Sequence, residues 1–205
     1  ALSISGINKV INITNCNFEQ NVAEVFGGAI RSGYGLIINI FYSEFIQNVS
    51  ISKGGAIFAS GGIFNINYGS FMQNNSKSGG AISFSGIGGG RTINNSTFTS
   101  NSSDYGGALH LFCNNENVSI NQCSFDSNEA NESGGAIYSY QRPNNYNNLI
   151  NNTDFLNNSA KNGGAIYCDP SNLILQNNIF YNNEAFETGG AICFNEYSYD
   201  ADRIF

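Results

Sequence analysis

The chain is predicted to be all-β, a right-handed, single-stranded parallel β-helix of about seven rungs. Three observations predict it. A glycine pair recurs seven times along 205 residues, at Gly27, Gly54, Gly79, Gly106, Gly134, Gly163 and Gly189, with spacings of 27, 25, 27, 28, 29 and 26 residues. Each pair follows a phenylalanine by eight or nine residues, and each phenylalanine is followed three residues later by an asparagine. Apolar residues alternate with polar ones in short runs, and no stretch keeps the i, i+3, i+4, i+7 spacing of a helix. A period between about 20 and 50 residues signals a solenoid, propeller or array. A propeller blade of four strands takes roughly 40 residues or more, so a coil of this length fits a solenoid rung instead.

The first strand of each rung is read from Ile13, Ile40, Ile66, Ile93, Ile120, Ile150 and Leu175, each five residues before a phenylalanine. Two positions earlier stand Ile11, Ile38, Phe64, Val118 and Leu173, with Arg91 and Asn148 as polar exceptions. The residues between are mostly polar (Asn12, Asn39, Asn65, Thr92, Ser119), giving a period of two and one buried face. A tight turn follows, then a second short strand centred on Phe18, Phe45, Phe71, Phe98, Phe125, Phe155 and Phe180.

The asparagines after these rings (Asn21, Asn48, Asn74, Asn101, Asn128, Asn158, Asn183) occupy one position of the coil. Their amides are expected to form a ladder from rung to rung, in a turn whose left-handed backbone asparagine tolerates. A second amide-rich column precedes each phenylalanine by three residues, at Asn15, Asn95, Gln122, Asn152 and Asn177, with Tyr42 and Tyr68 interrupting it.

The glycine pair makes the last corner, where a positive φ or a missing Cβ lets successive rungs pass closely. A third strand starts directly after it. Ile30, Ile57, Ile82, Leu109, Ile137, Ile166 and Ile192 are placed inward, and so are the residues two further on: Ser32, Ala59, Phe84, Leu111, Ser139, Cys168 and Phe194. The other face is expected to carry the alanines of the repeat and the column Arg31, Phe58, Ser83, His110, Tyr138, Tyr167 and Cys193. That mixed aromatic column reads as ordinary stacking between rungs, or alternatively as a platform for sugar rings. Parallel crossovers are right-handed with few exceptions, which sets the predicted hand.

Composition limits the function classes. The net charge is −7, with eight Lys and Arg residues, so no basic footprint for nucleic acid exists. Charged residues make up 11% and aromatics 13%, which suits a packed interior under a neutral polar surface. No apolar run approaches the ~20 residues that span a bilayer, and "ALSISGINKV" lacks the charged start and apolar core of a secretion signal. The whole of 1–205 reads as one solenoid domain, expected to be a segment of a longer repeat protein or to stack end to end.

Five cysteines show no metal-ligand spacing. Cys16 and Cys123 lie too many rungs apart to pair, and Cys168 and Cys193 are offset by one residue and so point oppositely. Cys113 with Cys123 remains as a candidate bridge. Catalysis by a β-helix would need clustered carboxylates. The densest set is Asp200, Asp202 and Arg203 after the last rung, and Asp104, Asp126, Asp154 and Asp169 fall in different rungs. His110 is the one histidine, with no Ser-His-Asp motif around it. "GIGGGR", residues 86–91, lacks the Lys-Ser/Thr of a phosphate loop. No enzyme activity, cofactor or metal is expected.

Insertions gather at the corner after the third strand, the longest being "YSYQRPNNYNN", residues 138–148. Loops on one side of a solenoid often form its binding side. Candidate contacts with a partner or glycan are therefore Phe58, His110, Tyr138, Tyr140, Arg142, Tyr146 and Tyr167. Of several N-x-S/T sequons, Asn12 and Asn131 are the expected glycan acceptors, because ladder asparagines such as Asn48, Asn74 and Asn101 have their amides engaged.

The repeated GGAI after a repeated F-x-x-N resembles the polymorphic outer membrane protein repeats of bacterial autotransporter passengers and of adhesin-like surface proteins. The resemblance runs from about Ile11 to Ile192. It implies a β-helix of pectin-lyase-like shape, displayed outside the cell and used as an adhesin or stalk, with a carbohydrate-binding or polysaccharide-cleaving role as the alternative. Expected partners are a host or neighbouring cell surface, a glycan, or another copy through the solenoid ends.

Overall fold

The computed structural model describes residues 2–6, 8–87, 89–114, 117–140, 147–169 and 172–195. It contains only strands and turns, wound into stacked coils whose corresponding strands pair in parallel. One coil with all four strands runs Arg91–Asn94, Thr97–Thr99, Ser102–Tyr105 and then Leu109–Asn114. The strands after the seven glycine pairs, with Leu2–Ile4 at one edge, form an eight-stranded sheet, the aliphatic strands a seven-stranded sheet, and the phenylalanine strands another of seven. Register is strict. Phe71 pairs with Phe45 and Phe98, Ile93 with Ile66 and Ile120, and Leu109 with Ile82 and Ile137.

Like residues therefore stack in columns through the core. The rings from Phe18 to Phe180 form one continuous pile, with centroids 4.6–5.0 Å apart and planes within 3–5° of parallel. Phe45, Phe71, Phe98, Phe125 and Phe155 are fully buried. The spacing matches the strand separation of a sheet, so backbone pairing and ring stacking are satisfied by one repeat distance.

The asparagine ladder is present and saturated. Asn101 accepts from the backbone N–H and Nδ2 of Asn74 at 3.0 Å, and donates through Nδ2 to the Phe71 carbonyl and to Asn128 Oδ1, both at 3.0 Å. The same bonds link Asn48 to Asn74 and Asn128 to Asn158. The left-handed backbone, however, is not at these asparagines. It lies one residue earlier, at Gln20, Gln47, Gln73, Ser100, Ser127, Asn157 and Asn182, with φ of 53–56°. A second left-handed corner, with φ of 48–55°, falls on the other amide column and includes Tyr42 and Tyr68.

The position after that corner carries a hydroxyl or thiol in five of the seven coils, which explains Cys16 and Cys123. Ser96 Oγ donates to the Asn94 carbonyl at 2.7 Å and accepts the Gly69 N–H at 3.0 Å. Cys123 stands at the equivalent place, its Sγ donating to the Asn121 carbonyl at 3.2 Å. It is a free, buried thiol, and burial pushes its pKa up to about 12. The expected bridge to Cys113 is thus not formed; the Cys113 side chain itself lies outside the described residues. Cys193 is also free, and Tyr167 rather than Cys168 pairs with it, as the offset requires.

Two expectations need correction. A fourth short strand lies between the asparagine and the glycines, seen as Ser102–Tyr105, Glu129–Ser133, Ser159–Asn162 and Glu184–Thr188. It carries register shifts that break its alternation. The alanines of the repeat do not lie on the outer face: Ala29, Ala56, Ala81, Ala108, Ala136 and Ala165 are fully buried in the core. The reason is the corner itself. The N–H groups of Ala81 and Ile82 both donate to the Ala108 carbonyl, at 3.0 and 2.9 Å, so the chain is still bending and strand alternation begins only at the isoleucine.

The polar exceptions of the aliphatic strands are buried too. Arg91 is 1% exposed, stacks over Phe84 at 5.1 Å and donates through Nη1 to the Gly62 carbonyl. Asn148 crosses the core to donate to Ser139 Oγ at 2.8 Å.

The first glycine of each pair has φ of 61–69°. The second is needed for space: a Cβ on Gly107 would overlap the Gly135 carbonyl oxygen and sit 2.6 Å from that of Glu129. Gly107→Ala should therefore lose roughly 3 kcal/mol or more in urea unfolding. Gly90→Ala, where nothing lies within 4 Å, should change stability by less than about 0.5 kcal/mol. Asn101→Ala strands three buried polar partners and should cost at least about 3 kcal/mol. Asn39→Ala, which removes an outer-face ladder amide bonded to Asn12 and Asn65, should cost under about 1 kcal/mol in the same assay.

Candidate functional site

The outer face of the sheet after the glycine pairs is sunken. Its floor is the predicted column, paired Arg31 to Phe58 to Ser83 to His110 to Tyr138 to Tyr167 to Cys193. One wall comes from the residue just before each glycine pair, with Phe26, Lys53, Ser78 and Tyr105 bridged in series. The other rail contains Phe112 and Tyr140, two residues beyond the floor. Together Lys53, Ser78, Tyr105, His110, Phe112, Tyr138 and Tyr140 line an open groove of about 440 Å³.

Stacking sets the side-chain orientations. His110 and Tyr138 stack at 5.4 Å and 4°, Tyr138 and Tyr167 at 5.3 Å and 2°, and Phe112 and Tyr140 at 5.3 Å and 6°. Tyr105 meets Tyr138 edge-on, at 65°, and closes the wall. The third coil interrupts both rows with Ser78, Ser83 and Ser85. Lys53 reaches across this gap, its Nζ standing 5.9 Å over the Phe112 ring two coils on.

His110 is 8% exposed, its Nδ1 3.4 Å from Ser83 Oγ. Burial, with the Lys53 charge second, pushes its pKa from the ordinary 6.5 down to about 3. It is a neutral ring at physiological pH. Burial also raises the Tyr138 phenol, with Asp169 adding to it, so this hydroxyl keeps its proton. Burial raises the Asp169 carboxyl as well.

Of the predicted contacts, the structure brings His110, Tyr138 and Tyr140 together in the groove, with Tyr167 stacked behind Tyr138. Phe58 is not an accessible platform: it is 6% exposed and stacked under Phe26 at 4.6 Å. Arg142 and Tyr146 lie outside the described residues, as do Asp200, Asp202 and Arg203. The column reading missed Lys53, Ser78, Tyr105 and Phe112. Their signal was positional, since three of them occupy the place directly before a glycine pair.

Among the expected glycan acceptors, Asn12 is exposed and engages Asn39 through its oxygen at 2.8 Å. Asn131 is exposed but donates its Nδ2, the atom a glycan would occupy, to Asp104 Oδ1 at 2.8 Å. Asn131 borders a second, more polar groove of about 470 Å³ shared with Lys77, Asp104 and Glu129. Among the described residues, no group of three or more His, Cys, Asp or Glu side chains could hold a metal ion, and no helix is long and apolar enough to cross a membrane.

Three stretches, residues 42–60, 122–140 and 152–169, match the family model described as the Chlamydia polymorphic membrane protein (Chlamydia_PMP) repeat. Each begins at a left-handed corner residue (Tyr42, Gln122, Asn152) and runs through F-x-x-N and the glycine pair into the next strand. No curated protein and no solved structure matches the chain.

The depressed His110 pKa has a signed consequence. Above pH 6.5 folded and unfolded chains both hold a neutral imidazole. Between pH 6.5 and 3 only the unfolded chain binds the proton, so stability falls as pH drops through that window. At ~1.4 kcal/mol per pH unit, urea unfolding at pH 7 and at pH 4.5 should show the wild type losing about 2–3 kcal/mol more than His110→Phe. Equal losses in the two proteins would contradict a buried neutral His110.

Proposed function

We propose that this chain is a non-catalytic β-solenoid of the cell exterior, an adhesin or structural stalk whose groove over the third to fifth coils meets the partner. The observation that carries the reading is the polymorphic membrane protein repeat, matched at three places in the chain. A repeat of membrane proteins supports a surface location. So does an exterior built from amides and hydroxyls, with 11% charged residues.

The groove's chemistry favours binding over turnover. Its imidazole is neutral and stacked, and its phenol at Tyr138 is held protonated, so neither is poised for proton transfer near pH 7. Half-buried aromatic rings with polar tips are the usual material of recognition surfaces.

Antibodies to the chain should label intact cells of the source organism without permeabilisation, and beads coated with the protein should adhere to other cells. Tyr140→Ala should cut bead adhesion severalfold while leaving the unfolding midpoint nearly unchanged. Incubation with polysaccharides should release no new sugar ends. Labelling seen only after permeabilisation, or sugar release that rises with protein concentration, would overturn the proposal.

A further inference from the structure

The composition of the groove narrows what it can hold. A peptide strand needs unpaired backbone to add to, and the floor offers none. Ser83, His110 and Tyr138 are each paired to neighbouring coils. Recognition there falls to side chains. A wholly apolar ligand would bury the hydroxyls of Tyr105, Tyr138 and Tyr140 without partners, which costs binding energy for each. A phosphate would want several convergent N–H donors or a guanidinium fork, and the described lining has one ammonium.

Lys53 decides the remaining choice. Its ammonium sits over the Phe112 face and has no carboxylate partner among the described residues. The small side chain of Ser78 lines the groove beside it. Around that cation the groove presents apolar ring surface and hydroxyl groups in alternation, in a volume within the usual range of ~300–1,000 Å³ for small-ligand sites. A pyranose has the matching character, with C–H faces that lie on rings and hydroxyls that bond to phenols. A carboxylate on that pyranose would supply the missing partner of Lys53.

We propose that the groove binds an acidic saccharide, a pyranose carrying a carboxylate, with the carboxylate on Lys53 and the sugar ring against Phe112, Tyr105 and Tyr140. This rests on the reading of the groove as the surface that meets the partner, and it names the chemistry of that partner.

Calorimetric titration of the full chain tests it with two acids, 3′-sialyllactose and a hyaluronan tetrasaccharide, each beside its neutral methyl ester. At least one acid should bind ten-fold or more tighter than its ester, and the acid that does so identifies the source as a sialate or a uronate. Lys53→Met, which keeps the stem and removes the charge, should bring that acid down to its ester. Tyr140→Ala should weaken acid and ester alike, and Lys77→Met in the second groove should change neither. Equal binding of acid and ester, a preference that survives Lys53→Met, or no binding by either acid would overturn the assignment. Bead adhesion separates this from the parent reading. Adhesion lost in Tyr140→Ala with neither acid bound sinks the sugar and leaves the adhesin. Acid binding without adhesion does the reverse.

Discussion

The structure depends on one missing atom per coil. Where the second glycine of a pair passes the next coil, its neighbours are the carbonyl oxygens of two further segments, and no side chain fits between them. Because this close approach without a Cβ recurs from coil to coil at the glycine pair, successive coils must present that residue at the same angle. Phenylalanine rings, asparagine amides and isoleucines are thereby brought into line, and each column then satisfies itself by contact with its own kind. Cross-coil hydrogen bonding follows from the same alignment.

Much of this could be read from the sequence, because a solenoid converts spacing along the chain into stacking in space. The phenylalanine pile, the amide ladder and the inward isoleucines all followed from recurrence. What escaped was local. The fourth strand has bulges that erase its alternation, and its signal was a column of small residues, Ser103, Ala130 and Ala160, five positions after the rings. The alanines were misplaced because alternation was extended backward through a corner where two N–H groups share one carbonyl. The left-handed backbone was expected at the asparagine of F-x-x-N because that side chain tolerates it best, yet the residue before it carries it, glutamine or serine in five coils and Asn157 and Asn182 in two, while the ladder asparagine is kept for its amide.

The groove was half legible. Its floor lies in one column and was identified as such, but a wall contributed by the residue before each glycine pair belongs to another column. Spacing shows that two columns exist and not that they face each other. Departures from the repeat carried the useful information in both cases. Serines in the third coil open the space that Lys53 crosses, and the buried Arg91 and Asn148 stand where an aliphatic residue was expected, each with a polar partner across the core.

The direction of the hydrogen bonds has a mechanical meaning. They run along the rod, coil to coil, so tension applied at the two chain ends would load the terminal strand's bonds one at a time, while each interior interface shares the same force over a whole coil of bonds. Such a rod would not snap. It would peel one coil at a time, each coil freeing 25 to 29 residues of slack, close to ~90 Å of extended chain at about 3.4 Å per residue. A tether of this kind limits the force it transmits by paying out length, while coils still wound keep their surface intact.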